Sequence, residues 1–270
     1  MKMGCSVIRL YGRYLGISVR SQMEYRGSFI MQSIGHFLIT CVEFLTIGML
    51  FDRFGGIEGW TLPEVGLFYG MVNTAFALSD AAARGFDQFG TMVKSGDFDR
   101  LLLRPRSAAL QVAGQELTLR RVGRLLQGLA VLAWSSVSLS IAWTPAKILF
   151  LAGTVLCGMC LFFGVIVLQA TAAFWTVETL EMFNTLSYGG VQTGQYPLTI
   201  YQRWFQRFFT FVVPLAAVTY FPAVAILGRD DPLGTSRIFQ HVVPLIGVAF
   251  LAVSLQAWKI GVRHYRSTGS

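Results

Sequence analysis

Residues 27–51 read GSFIMQSIGHFLITCVEFLTIGMLF, an apolar run flanked by Arg26 and Asp52. A helix of roughly 20 such residues crosses about 30 Å of hydrocarbon. Comparable stretches follow at about 64–83, 125–143, 147–173, 204–227 and 241–260. Helices of soluble proteins average about 11–12 residues and carry a polar face, so this pattern predicts an all-α integral membrane protein with six transmembrane helices. Charged residues make up only 13% of the chain, which leaves material for short loops alone. The net charge of +8 would suit nucleic acid, but the basic residues flank the apolar stretches, where anionic lipid accounts for them. Zinc-finger spacing and a basic recognition helix are both missing, so no nucleic-acid partner is expected.

Residues 1–26 lack the uninterrupted apolar core of a signal peptide. Val7, Leu10, Tyr11, Tyr14, Leu15 and Ile17 alternate with Arg9, Arg13 and Arg20 at roughly helical spacing. This predicts an N-terminal amphipathic helix, lying in the membrane interface or packed on another subunit. Most of the 22 Lys and Arg fall on the flanks that are cytoplasmic when both termini lie inside. Lys2 to Arg26, Arg84 to Arg124 and Lys259 to Arg266 belong to that group, while Arg53, Lys147, Arg229 and Arg237 fall outside. The positive-inside rule therefore places both termini, with a tail over 261–270, in the cytoplasm. The remaining chain, 27–260, reads as a single six-span transmembrane domain.

Polar residues interrupt the spans. His36 and Glu43 lie about two helical turns apart, near one face of the first span, and Asn73 and Asp80 fall in the second. Polar groups at depth are costly and face protein or an aqueous path, so these four are expected to bond between helices or to line a pathway.

The segment RGFDQFGTMVKSGDFDRLLLRPRS, 84–107, is the most informative loop. It predicts a helix from about Phe86 to Lys94, a stop at Gly96, a turn capped by Asp97 and an end at Pro105. Phe98, Leu101, Leu102 and Leu103 are too few to span a bilayer. Ringed by Lys94, Asp97, Asp99, Arg100, Arg104 and Arg106, they suit a docking surface for another protein, or an elbow anchored in lipid.

Region 174–227 allows two readings. Hydropathy alone makes 204–227 the fifth span; otherwise 176–196 is that span and 197–227 a re-entrant hairpin on the outer side. Pro214 and Pro222 remove backbone donors and are expected to break the segment twice.

Nothing points to chemistry in the chain itself. GxxxxGK[ST], HExxH and GxSxG are absent, and His36, His241 and His264 are dispersed. Cys157 and Cys160 form a CxxC inside an apolar run, without a second pair, and read as small packing residues. Asp230-Asp231 before Pro232 reads as a solvated turn.

Two stretches carry a resemblance. KSGDFDRLLLRPRS resembles the glycine, Ile/Phe-Asp, Leu-Leu and Arg-Pro signature of a bacterial ABC transporter permease family related to the type-2 exporters. YPLTIYQRWFQRFFTFVVPLAAVTYFPAVAILG resembles that family's proline-rich region, although Gln202 stands where proline is frequent. The resemblance implies an ABC-2 exporter-like permease, not itself an enzyme, in a bacterial inner membrane. It implies that 84–106 couples to a separate dimer of nucleotide-binding subunits, through Gly96, Asp97, Phe98, Asp99, Arg100, Leu101, Leu102, Arg104 and Pro105. ATP and Mg2+ would bind in that partner and no cofactor in this chain. A second permease subunit, identical or a paralogue, would complete the pathway. It further implies the hairpin reading of 197–227, with Tyr196, Pro197, Tyr201, Pro214 and Pro222 at the outer side. A lipid, glycolipid, peptide or drug would suit as cargo. An intramembrane lipid-modifying enzyme and a non-transporting scaffold are the alternatives.

Overall fold

The computed structural model describes residues 12, 16–17, 20–24, 26–115, 122–176 and 180–265. Most of the amphipathic helix expected over 1–26, including Val7 to Tyr11 and Arg13 to Leu15, lies outside these residues, as do the tail beyond Tyr265, Arg120 and Arg121. Among the described residues the only β pairing is an isolated bridge between Ile57 and Trp60. Everything else regular is helical.

Among the described residues three helices are long and apolar enough to cross a membrane, or four if the bent pair Arg203–Val212 and Leu215–Leu227 counts as one span. The three are α1 (Arg26–Phe54), the long helix Pro145–Ala172, and the continuous stretch Arg237–His264. Between the first two come α2 (Leu62–Asp87), α3 (Phe89–Lys94), α4 (Asp97–Leu102), α5 (Ala108–Gln115) and α6 (Val122–Ser138). The long helix Pro145–Ala172 is then α7, followed by α8 (Leu180–Gly194) and α9 (Arg203–Arg207), which widens into a π-turn over Phe208–Val212. The chain continues through α10 (Leu215–Val218), α11 (Tyr220–Leu227), α12 (Arg237–Val242) and α13 (Ile246–His264).

Helix α2 is the axis of the bundle. Its 26 residues span about 39 Å at 1.5 Å per residue, and Val65 through Ala77 are all buried. At its start the Thr61 backbone and hydroxyl both donate to the Glu64 carboxylate, and Pro63 fits the first turn. α6 and α7 pack on α2, α13 on α7, and α1 chiefly on α6. The outward face of α1 is left bare, with Met31, Ile34, Leu38, Val42, Leu45 and Met49 all exposed.

Close approach of α2 and α6 depends on Gly70. A Cβ there would sit 2.8 Å from the Leu132 Cα and 2.9 Å from its backbone nitrogen. Gly70→Ala should therefore force the helices apart and cost about 1–3 kcal/mol, read as a lower unfolding temperature of the chain in detergent.

Two apolar cores lie at opposite ends of α2. One, around Trp60, Phe68 and Tyr220, joins α2 to the segment after α8. The other, around Phe86, Phe89, Phe98 and Trp258, joins the C-terminal end of α2 to α4, α7 and α13.

Candidate coupling segment and intramembrane polar cluster

Gly96 turns the chain between α3 and α4 with φ +74°, a left-handed conformation that suits glycine. Gly96 thus occupies the N-cap, and Asp97, expected as the cap, is the first helical residue. The Asp97 carboxylate instead accepts from Ser95 Oγ at 2.7 Å. The turn sets which side of α4 faces inward.

Phe98 is fully buried and Leu101 nearly so. The Phe98 ring meets Phe89 edge-on at 4.9 Å, Tyr265 at 5.0 Å and Phe174 at 5.8 Å between centroids. Trp258 stands behind them, 4.7 Å from Phe89 and 5.0 Å from Phe86. The expected outward knob is therefore divided: Phe98 and Leu101 point into the chain, while Leu102 and Leu103 point out. Leu103 is 86% exposed. Lys94, Asp97, Arg100, Arg104, Pro105 and Arg106 are exposed around them. Asp99 is half-buried, and the Tyr265 phenol is pushed up by burial and by the facing Asp99 carboxylate. Beneath the segment, Gln111 of α5 donates to the carbonyls of Leu101 and Arg106, both at 3.2 Å, and so pins both ends of the exposed turn. A polar groove of about 590 Å³ opens between α3, α4 and Gln115.

The α4 turn thus grips three long helices through rings. Displacing it moves Phe98 against Phe174 after α7, Trp258 on α13 and Phe89 after α2. Neither Gln111 nor the packing of Phe89, Phe174, Trp258 and Tyr265 around Phe98 is legible from local sequence, because these residues come from distant segments.

The second cluster lies where α1, α2 and α6 meet. Glu43 faces Arg124 at 4.0 Å, and the guanidinium sits 5.2 Å from the centre of the Phe76 ring. The Tyr69 hydroxyl and Gln127 Nε2 both donate to the Thr40 carbonyl, at 2.9 and 3.2 Å. Asn73, fully buried, donates to the Tyr69 carbonyl at 3.0 Å. Of the four polar residues singled out in the spans, Glu43 and Asn73 therefore belong to one junction. His36 stands two turns away on α1, half-buried. Asp80 is buried two turns further along α2, and Arg84, four residues on, pairs with Asp87 at 3.0 Å. Arg124 reads in the sequence as a flanking basic residue; the fold turns it inward.

Removing one member of a half-buried pair leaves the other charge in a poorer solvent without its partner. Arg124→Gln should therefore lower the unfolding temperature more than the double substitution E43Q/R124Q, and a double-mutant cycle in detergent measures that coupling.

At the opposite end of α2, Trp60 touches both limits of the segment after α8. Its indole nitrogen donates to Thr199 Oγ1 at 3.2 Å, and the Arg229 guanidinium lies 4.3 Å over its ring. Arg229 also pairs with Glu64 at 3.1 Å and donates to the Gly59 carbonyl. Between these limits the helices Arg203–Val212 and Leu215–Leu227 bend by 73°. The bend falls at Pro214. The second discontinuity is at Thr219 rather than Pro222, because proline fits the first turn of α11 but cannot donate back to Val218. Tyr201 donates to the Thr193 carbonyl at 3.1 Å, tying Pro197 and Leu198–Ile200 to the end of α8; Tyr196 is half-buried beside them. Asp231 accepts from Tyr220 Oη and from the backbone of Leu233 and Thr235, so it organises its turn.

A family model described as ABC-2 family transporter protein matches residues 37–269. The chain belongs to the ABC-2 transporter family. No curated protein and no solved structure gave a significant match. An ABC-2 family chain is a multi-pass membrane component of a transporter, and such components usually work with a nucleotide-binding ATPase. In this ABC-2 chain, among the described residues, no three His, Cys, Asp or Glu side chains gather as a metal site would require.

Proposed function

We propose that the chain is the permease half of an ATP-driven exporter in a bacterial cytoplasmic membrane. It crosses six times with both termini inside, and residues 84–106 receive the force of a nucleotide-binding dimer that holds ATP and Mg2+. A second permease subunit, identical or a paralogue, lies against this one, and the bare stripe of α1 from Met31 to Met49 supports that arrangement. The cargo is an amphiphile or hydrophobe: a lipid, glycolipid, peptide or drug.

One observation carries this reading. The α4 turn is buried on one side against the ends of the long helices and leaves Leu102, Leu103 and a basic rim outside. A surface that only anchored in lipid would need no such internal aromatic linkage. With it, a push on Leu103 is transmitted to α7 and α13, and ATP binding can favour one arrangement of the spans over the other. Gly96 sets the turn, Asp97 and Asp99 hold it, and Arg100, Arg104 and Pro105 meet the partner. Isolation of the tagged chain from its native membrane tests the whole reading. A co-purifying subunit with a phosphate-binding loop, at one copy per permease, is expected. Recovery of the chain alone, with lipid-modifying activity, would overturn it.

The hairpin reading of 197–227 is supported by Trp60, which touches both ends of that segment. A segment whose start and finish share one neighbour enters and leaves on one side, with its irregular backbone covered by protein. α8 is then the core of the fifth span. Single cysteines at positions 203 and 207, in a background without native cysteines, should react with an impermeant thiol reagent added from outside. Reaction only after the inner face is opened would reject the hairpin.

A further inference from the structure

At the Phe98 end of the bundle, a groove of about 970 Å³ runs between α2, α5, α7 and α13. We propose that it binds one anionic glycerophospholipid of the adjacent leaflet, an acyl chain lying in the groove and the phosphate held by Lys259 and Arg263. The walls are apolar and the alanines at 82, 109, 113 and 252 make room where larger side chains would close it. Along α13 the lining extends from Leu251 to Arg263, about 18 Å at 1.5 Å per residue. That is close to one leaflet of hydrocarbon, roughly half of 30 Å. Lys259 and Arg263 are four apart, hence on one face of α13, and both are exposed at the mouth. Among the described residues neither makes an ion pair, unlike Arg84, Arg100, Arg124 and Arg229.

An apolar slot one leaflet deep with two uncompensated cations at its rim matches an anionic lipid in length and in charge. A zwitterionic lipid carries the same phosphate but neutralises it with its own ammonium group, so it offers the two cations no net counter-charge. In the orientation proposed above the leaflet is the cytoplasmic one, where anionic head groups attract basic side chains. Because the lipid would bridge α5 and α13, which flank the α4 turn, its presence would stiffen the end of the bundle that receives the ATPase.

The test uses the full-length chain in detergent, titrated with phosphatidylglycerol or phosphatidylcholine of the same acyl chains and read by native mass spectrometry. Wild type should retain phosphatidylglycerol preferentially. K259Q/R263Q should weaken that retention about tenfold or more and lower phosphatidylcholine by much less, so that the preference between the two lipids is lost, since each basic side chain near a charged surface contributes about 1 kcal/mol. Ala252→Trp should reduce both. Both charge-removing substitutions lie on the exposed face, so the fold is retained. Equal retention of phosphatidylglycerol by wild type and K259Q/R263Q would overturn the proposal. So would equal binding of the two lipids by wild type, or a shift in oligomeric state with lipid retention unchanged, which would make the groove an interface between copies. The assay contains no ATPase, so its failure leaves the transport reading untouched.

Discussion

Replacing Leu102 and Leu103 together with serine is expected to release the ATPase while leaving the chain folded. Both side chains already face outward, so their loss opens no cavity within the chain. In a complex each would bury apolar surface worth about 1.5–3 kcal/mol. Losing both removes about 3 kcal/mol or more, a drop in affinity of roughly a hundredfold. The measurement is the amount of nucleotide-binding subunit recovered with the tagged permease, set against its unfolding temperature. Loss of the subunit with an unchanged unfolding temperature is the expected pair. Serine at Arg100 or Arg104 should do less, because charges at the rim of an interface often contribute little.

Phe98→Ala should behave in the opposite way. The ring is wholly enclosed by Phe89, Phe174, Trp258 and Tyr265, so its removal leaves a cavity costing about 3–5 kcal/mol. The α4 turn would come loose from α7 and α13, and the unfolding temperature should fall well below that of wild type. Any ATPase still bound should hydrolyse ATP without moving cargo, because the aromatic linkage to the long helices is what Phe98 supplies. Phe98→Leu, which keeps most of the volume, should recover much of the stability. A substitution at Phe98 that leaves stability unchanged but releases the ATPase would mean that the ring faces the partner after all.

The contrast between these two neighbours shows where the sequence is legible. Long apolar runs found α1, α7 and the Arg237–His264 helix, because hydropathy over 18 or more residues is a strong periodicity-free signal. Helix α2 is also of spanning length, and its Asn73, Ser79 and Asp80 are tolerated because neighbouring helices cover them. Gly96 and Pro105 correctly bracket a short turn. Which of its leucines face inward was beyond reach. Six residues make less than two turns of helix, and the facing is decided by the left-handed φ of Gly96 together with rings from α7, α13 and the residues after them. Arg124 illustrates the same limit. An arginine at the start of an apolar stretch looks alike whether it flanks a membrane or turns toward a glutamate on another helix. In the segment after α8, proline content marked a break, but only the contacts of Trp60 with Thr199 and Arg229 bring its two ends together.

The most direct test of coupling is photo-crosslinking in native membranes. A photoreactive side chain is placed at position 103, and for comparison at position 98 or at 149, an exposed residue near the other end of α7. Position 103 should capture a nucleotide-binding subunit, with a yield that changes when ATP is added, while 98 and 149 should capture none. Capture of lipid alone at 103, with or without ATP, would contradict the account.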